Sequence, residues 1–145
     1  MKIHTVKFHK EFKAPIEKVW ADFSNHENLG KIFGQRMSRI VDSPDTADVN
    51  GTDSVRKIHV PLLPFEETIR KAERPNRIEY QISKGTPLHH HYGTMIFKTL
   101  PNGNTALDYT IEMGSRYPLL GKIIAIVLEK SISRSLDTYA KNCNN

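Results

Sequence analysis

The sequence has little of what disulfide-rich, membrane-spanning or nucleotide-binding proteins require. Its 145 residues contain one cysteine, Cys143, so an intramolecular disulfide is excluded. No apolar run reaches the roughly 18 residues expected of a membrane-spanning helix. It has no glycine-rich phosphate loop, so nucleotide binding is not expected, and it has neither the Cys-x-x-Cys nor the His-Glu-x-x-His motif of a zinc site. The N-terminal residues lack the apolar core of a signal peptide, and we therefore expect a cytoplasmic protein.

The formal net charge of +5 raises the question of an acidic partner. Its basic residues are scattered along the chain, and the densest group of them is Arg70, Lys71, Arg74 and Arg77. No aromatic residues interleave with this group in the way that a base-stacking surface requires. This favours a solvated basic edge, and no nucleic-acid partner is expected.

The first part of the chain predicts a strand followed by two short helices. Residues 3–12 alternate between apolar and polar, which is typical of a half-buried strand. Pro15 then favours the start of a helix, as its first helical residue. Ser24 and Glu27 have the spacing of a capping box and predict a second short helix, which Gly34 ends.

The rest of the chain predicts six strands and one long helix. Turn signals divide the alternating segments, and Asn102-Gly103 between the last two segments is a strong hairpin signal. This order predicts a single α+β domain over residues 1–145, in which helices cover the apolar face of an antiparallel sheet. The predicted strands are 36–42, 52–60, 65–73, 77–83, 88–100 and 105–113, and the helix is 118–141.

The pattern of the long helix indicates a cavity between helix and sheet. Ser131 and Ser135 stack on its inner face, where small side chains leave space. Tyr80, Met95 and Tyr109 lie at inward positions of their strands, so they would wall this space. The alternative is that the serines bond to backbone carbonyls of their own helix and no cavity forms. The apolar residues of the inner face are Leu120, Ile124, Val127, Leu128, Ile132, Leu136 and Tyr139.

The start of the long helix is apolar on its outer side as well. Ile123 and Ile126 point outward, and Lys122 is the only cation in this stretch. Exposed apolar residues can mark a partner surface or a membrane contact. A homodimer contact or a gate over the cavity is favoured over membrane docking. The alternative is that a neighbouring loop or helix covers these residues.

Four short segments carry a resemblance to a known superfamily. They are Ala14-Pro-Ile-Glu-Lys-Val-Trp20, Gly51 with Val55-Arg56 and Glu67, Pro75-Asn-Arg-Ile-Glu-Tyr80, and His91-Tyr-Gly93 through Leu107-Asp-Tyr109. With these segments in this order, the chain resembles the helix-grip proteins, which include START domains, birch-pollen allergens and polyketide cyclases, and most closely the SRPBCC polyketide cyclase/dehydrase-like branch. The resemblance implies a curved seven-stranded antiparallel sheet around a long C-terminal helix, with an internal cavity for a small hydrophobic ligand such as a lipid or polyketide.

Arg56 and Glu67 are charged residues at inward positions of adjacent predicted strands. A buried charge needs a partner, and a guanidinium can meet a carboxylate in a two-pronged hydrogen bond. The resemblance implies that such an arginine and glutamate line the cavity. Two interpretations remain open: a site for the polar end of a ligand, or an ion pair that serves only the fold.

Three consecutive histidines precede the next apolar run. On a strand, His89 and His91 share one side and would face the cavity mouth. A zinc site would need a third ligand from His59 or Glu67, and no motif supports it, so neither a metal nor another cofactor is expected. A general base is the better functional interpretation, and partly solvated polar residues are the simplest one.

These observations lead to one main hypothesis and two alternatives. The main hypothesis is a module that binds a hydrophobic or amphipathic molecule. The first alternative is a cyclase/aromatase- or hydratase-type enzyme in which His91 or Glu67 moves a proton. The second is an interaction protein that acts through its basic surface. The predicted ligand-binding residues are Arg56, Glu67, Tyr80, His91, Met95, Tyr109, Ser131 and Ser135.

Overall fold

The computed structural model of the chain describes residues 1–85 and 88–143. Its elements follow the predicted order of one strand, two short helices, six strands and a long helix. The strands are β1 (Lys2–Phe12), β2 (Met37–Val41), β3 (Val55–Ile58), β4 (Phe65–Glu73), β5 (Arg77–Lys84), β6 (His90–Thr99) and β7 (Thr105–Ser115), and the helices are α1 (Ile16–Ser24), α2 (His26–Phe33) and α3 (Pro118–Asn142).

The seven strands form one antiparallel sheet in the order β1-β7-β6-β5-β4-β3-β2. Strands β2 to β6 each pair with the next strand along the chain, and β1 pairs with β7 along its whole length. Two register shifts interrupt the pairing of β4 with β5. Such bulges bend a strand and increase its twist, which helps the sheet to curve around α3. The prediction of a helix-grip α+β fold is confirmed.

The core lies under α1 and the C-terminal half of α3. The Trp20 ring of α1 meets Phe97 of β6 edge-on at 5.8 Å between ring centres. Tyr139 of α3 meets both Phe12 and Phe23 at 4.9 Å. Burial of each large apolar side chain contributes about 1.5–3 kcal/mol, so these contacts hold the helices to the sheet.

The N-terminal half of α3 is less buried than its helical period predicts. Leu136 is buried, whereas Val127 is 60% exposed and Leu120 is also exposed. The inward prediction for Val127 and Leu120 is therefore wrong. Helix α3 packs mainly on β1, β7 and α2, so its first turns do not rest on the middle of the sheet. In the described part of the chain, no helix combines the length and apolarity that crossing a membrane requires.

Three local predictions differ from the structure. Pro15 is the extended residue before α1 instead of its first helical residue. Asn25 caps α2, and its side chain accepts a hydrogen bond from the Asn28 N–H at 2.9 Å. The predicted Ser24 cap is wrong because only one residue separates the two helices, and Ser24 still belongs to α1. Strand β3 is shorter than predicted at both ends, and it starts late because Asp53, at a φ of 70°, cannot continue an extended strand.

Candidate functional site

Two adjoining cavities lie between the sheet and α3. The inner cavity has a volume of about 210 Å³ and is lined by residues of β3 to β7, of the loop after β3 and of α3, with four residues from the region of α2 and β2. The outer cavity, of about 360 Å³, has an almost entirely apolar lining. Ligand pockets commonly measure roughly 300–1,000 Å³, so this recess has room for a small molecule. The two cavities meet at Val60, Phe65, His91 and Leu128, which line both.

A buried ion pair forms part of the inner cavity wall. Arg56 of β3 lies directly opposite Glu67 of β4, so both side chains project from the same face of the sheet. Arg56 Nε donates a hydrogen bond to Glu67 Oε1 at 2.8 Å. Arg56 is 2% exposed and Glu67 is 4% exposed. Removing an ion from water costs several kcal/mol, so neither charge would be stable here without the other.

Tyr80 of β5, on the far side of β4 from the arginine, contacts the Arg56 side chain. The guanidinium carbon of Arg56 lies 4.6 Å from the centre of the Tyr80 ring, which is a cation–π contact. Tyr80 is opposite Gly93 of β6, and a Cβ atom at Gly93 would overlap the tyrosine ring. Only glycine lets the ring approach the sheet this closely. The Tyr80 hydroxyl forms a hydrogen bond with the Tyr109 hydroxyl, and burial raises the pKa of both phenols.

His91 supplies a buried and uncharged imidazole next to the ion pair. It is 7% exposed, and its Nε2 lies 3.6 Å from Glu67 Oε2, which is too long for a hydrogen bond. Its Nδ1 has no hydrogen-bond partner in the described part of the chain. Burial lowers the pKa of His91; the Glu67 carboxylate opposes this effect and the Arg56 cation adds to it. The imidazole is therefore neutral near pH 7 and can accept a proton or a hydrogen bond.

Exposed aliphatic residues surround the outer cavity. Leu63, Ile123 and Val127 line it and are each at least half exposed. Ile126, on the other side of α3, is 46% exposed, as the helical period predicts. The outer cavity thus opens to solvent between the loop that joins β3 to β4 and the first turns of α3.

The structure brings most of the sequence-predicted site residues together and separates two from the cavities. Met95 is fully buried beside Tyr109 on the next strand, and Ser135 is half-buried on α3; neither lines either cavity. Burial in a packed core accounts for Met95, since an inward position need not face open space. The residues that line the inner cavity as predicted are Arg56, Glu67, Tyr80, His91, Tyr109 and Ser131.

Several lining residues have no signal in a single strand's alternation. Phe33, at the end of α2, and Gln35, which follows it, reach the cavity because α2 packs against β2 and α3. Phe65, two residues before Glu67 on β4, and Leu128, on the predicted inner face of α3, did have such a signal but were not among the predicted site residues. The apolar run that ends α2 was a signal for burial, but sequence reasoning could not assign its partner.

The other two histidines considered as metal ligands lie elsewhere. His89 precedes β6, is exposed, and accepts a hydrogen bond at Nδ1 from the Arg116 N–H at 3.3 Å. The prediction that it faces the cavity with His91 is wrong, because strand alternation does not extend to it. His59 forms a hydrogen bond with Ser38 at 2.5 Å. Within residues 1–85 and 88–143, no three His, Cys, Asp or Glu side chains form a cluster that could hold a metal ion.

Comparison with known proteins assigns the family. The model of the family described as polyketide cyclase/dehydrase and lipid transport matches residues 4–144. The chain belongs to this family. No curated protein matches the sequence.

Several solved structures have a fold similar to that of this chain. A START superfamily protein from Mycobacterium smegmatis has a TM-score of 0.77 at 13% identity, with 96% of this chain and 98% of that chain covered. The Zhui aromatase/cyclase from a Streptomyces species has a TM-score of 0.76 at 15% identity, with 99% and 94% covered. Ara h 8.0201 has a TM-score of 0.70 at 16% identity, with 97% and 99% covered. At these identities the likeness concerns the fold.

Proposed function

We propose that this member of the polyketide cyclase/dehydrase and lipid transport family binds a small hydrophobic or amphipathic molecule between the sheet and α3. The body of the ligand fills the outer cavity, and its polar end meets Arg56, Glu67 and His91. The observation that carries the proposal is the buried polar cluster at one end of an otherwise apolar recess. A core that served only the fold would not need a buried ion pair in this recess, since apolar residues of similar volume are often as stable or more stable.

The lining of the recess supports this division of roles. Contact with apolar walls stabilises a ligand by about 25 cal/mol for each Å² of apolar surface removed from water. A few polar groups then fix the orientation of the ligand, as is usual in small-molecule sites. Tyr80 and Tyr109 complete the polar end, and Ser131 offers a further hydroxyl from α3.

Chemistry in the same cavity is the second candidate function, and the state of His91 favours it. A neutral imidazole can take a proton from a carbon or hydroxyl of a bound substrate and return it to another atom of that molecule. The Glu67 carboxylate would stabilise the resulting imidazolium by its opposite charge, since Glu67 Oε2 is 3.6 Å from His91 Nε2. Replacing His91 with Gln separates the two functions: an enzyme loses turnover and retains binding, whereas a binding module shows no turnover to lose.

A matched pair of variants tests the proposed binding. Leu128 lines both cavities, so Leu128→Trp should fill their junction, whereas Ile126 is an exposed residue of the same helix that lines neither cavity. The neutral fluorescent probe N-phenyl-1-naphthylamine should bind wild type and Ile126→Trp with saturation. Leu128→Trp should bind at least about tenfold more weakly at unchanged thermal stability. Equal probe binding by both variants would contradict this location of the site.

A further inference from the structure

We infer that the cavity selects ligands whose polar end is uncharged, such as an alcohol or a phenol, over carboxylates and amines with the same apolar body. This inference rests on the proposed function and narrows its ligand class. It follows from the charges on the cavity walls and from the hydrogen-bonding groups left open there.

The charges that line the recess cancel. Arg56 and Glu67 carry opposite charges and are joined at 2.8 Å. Among the described residues, no other Asp, Glu, Lys or Arg lines either cavity. The remaining titratable groups at the polar end are His91, Tyr80 and Tyr109. Burial disfavours the charged form of each of these three, so the polar end as a whole is electrically neutral.

A charged ligand would enter this site without a free counter-charge. A carboxylate that approached Arg56 would also approach Glu67, which already accepts from the guanidinium. An ammonium group would meet the same conflict from Arg56. Either ion would lose its hydration and bring an uncompensated charge into a buried site, which is strongly unfavourable.

A hydroxyl group fits what the ion pair leaves available. Glu67 Oε2 lies beyond hydrogen-bond distance of His91, and His91 Nδ1 is buried without a partner. A ligand hydroxyl can donate to Glu67 Oε2, which the ion pair leaves open. It can accept from Arg56, which has further N–H groups besides the Nε–H used in the ion pair. A hydroxyl is therefore both donor and acceptor at a site that offers both.

Three ligands that differ only in the charge of their polar end test the inference on the wild-type protein. At about pH 8, 1-octanol is neutral, octanoate is an anion and octylamine is a cation, while His91 remains uncharged. Each displaces bound N-phenyl-1-naphthylamine in a titration, and its affinity follows from the displacement curve. We expect 1-octanol to bind at least about tenfold more tightly than either ion. Octanoate or octylamine binding as tightly as 1-octanol would overturn the inference and leave the proposed function intact. Binding of neither the probe nor any octyl compound would overturn both.

Two variants, each of which removes one charge of the pair, test the cause of the selectivity. Glu67→Gln leaves the arginine charge alone and should shift the preference toward octanoate. Arg56→Gln leaves the carboxylate alone and should shift it toward octylamine. Circular dichroism establishes whether each variant is folded, and the wild-type series decides the inference where a variant is not. An unchanged order of affinities in both folded variants would overturn charge balance as the cause.

Discussion

The buried ion pair gives a prediction that separates its effect on the stability of the fold from its effect on ligand binding. Replacing Glu67 with Leu leaves Arg56 charged, 2% exposed and without its carboxylate. Breaking a buried pair in this way costs about 3–5 kcal/mol. In a domain of this size 1 kcal/mol corresponds to about 2–4 °C, so the midpoint of thermal unfolding should fall by roughly 6–20 °C. The double variant Arg56→Met/Glu67→Leu removes both charges. It should unfold within about 1 kcal/mol of wild type, or be more stable, because its apolar side chains need no counter-charge.

Urea unfolding of the wild type, the two single variants and the double variant measures these differences as a double-mutant cycle. We expect a coupling free energy of several kcal/mol between the two positions. We also expect the stable double variant to lose its preference for 1-octanol, because the polar end of the site is gone. A Glu67→Leu cost below about 1 kcal/mol would refute the argument from buried charge. A double variant as unstable as the single ones would show that the pair is needed for folding itself.

Three further predictions concern the packing and the titration of the fold. Gly93→Ala should destabilise the protein by about 1–3 kcal/mol in urea unfolding, because its Cβ would displace the Tyr80 ring. The control Gly121→Ala should be neutral or stabilising by up to about 1 kcal/mol, since its Cβ would meet no atom closer than 3.5 Å in a helix; equal effects of the two would contradict the close approach. Burial, helped by the Arg56 and Arg39 cations, lowers the pKa of His26 to about 2. Because the folded pKa lies below the unfolded value of about 6.5, stability is present above pH 6.5 and is lost as the pH falls toward 2. Between pH 6 and 4 the wild type should lose about 1.4 kcal/mol per pH unit more than His26→Gln, and parallel pH profiles would contradict this.

The order of elements was predictable from the sequence because strong local signals mark their ends. Strand β4 has the predicted bounds, 65–73, since Pro64 and Pro75 flank an alternating run. Helix α3 begins at the predicted Pro118, whose missing N–H makes it suited to a first helical turn. The ends without such a signal shifted: Asp53 shortens β3 through its positive φ, which aspartate adopts only in a particular turn context.

The candidate site was predictable where it depends on strand alternation and not where it depends on packing between distant elements. Arg56 and Glu67 were placed on one face by the period of two and on adjacent strands by chain order. The arrangement of Tyr80 over Gly93 requires the register between β5 and β6, which no local pattern gives. Val127 was placed inward because a helical period assigns faces without saying how far the helix is tilted off the sheet.

Native mass spectrometry of the purified protein beside its denatured mass tests the central claim, that the recess holds a small ligand, most directly. We expect wild type to show a non-covalent adduct of one small molecule, or a saturable one-to-one adduct after addition of 1-octanol. We expect Leu128→Trp to show neither, while Ile126→Trp behaves as wild type. A wild-type spectrum without a bound molecule before and after 1-octanol, or an adduct that persists equally in Leu128→Trp, would contradict the proposed site.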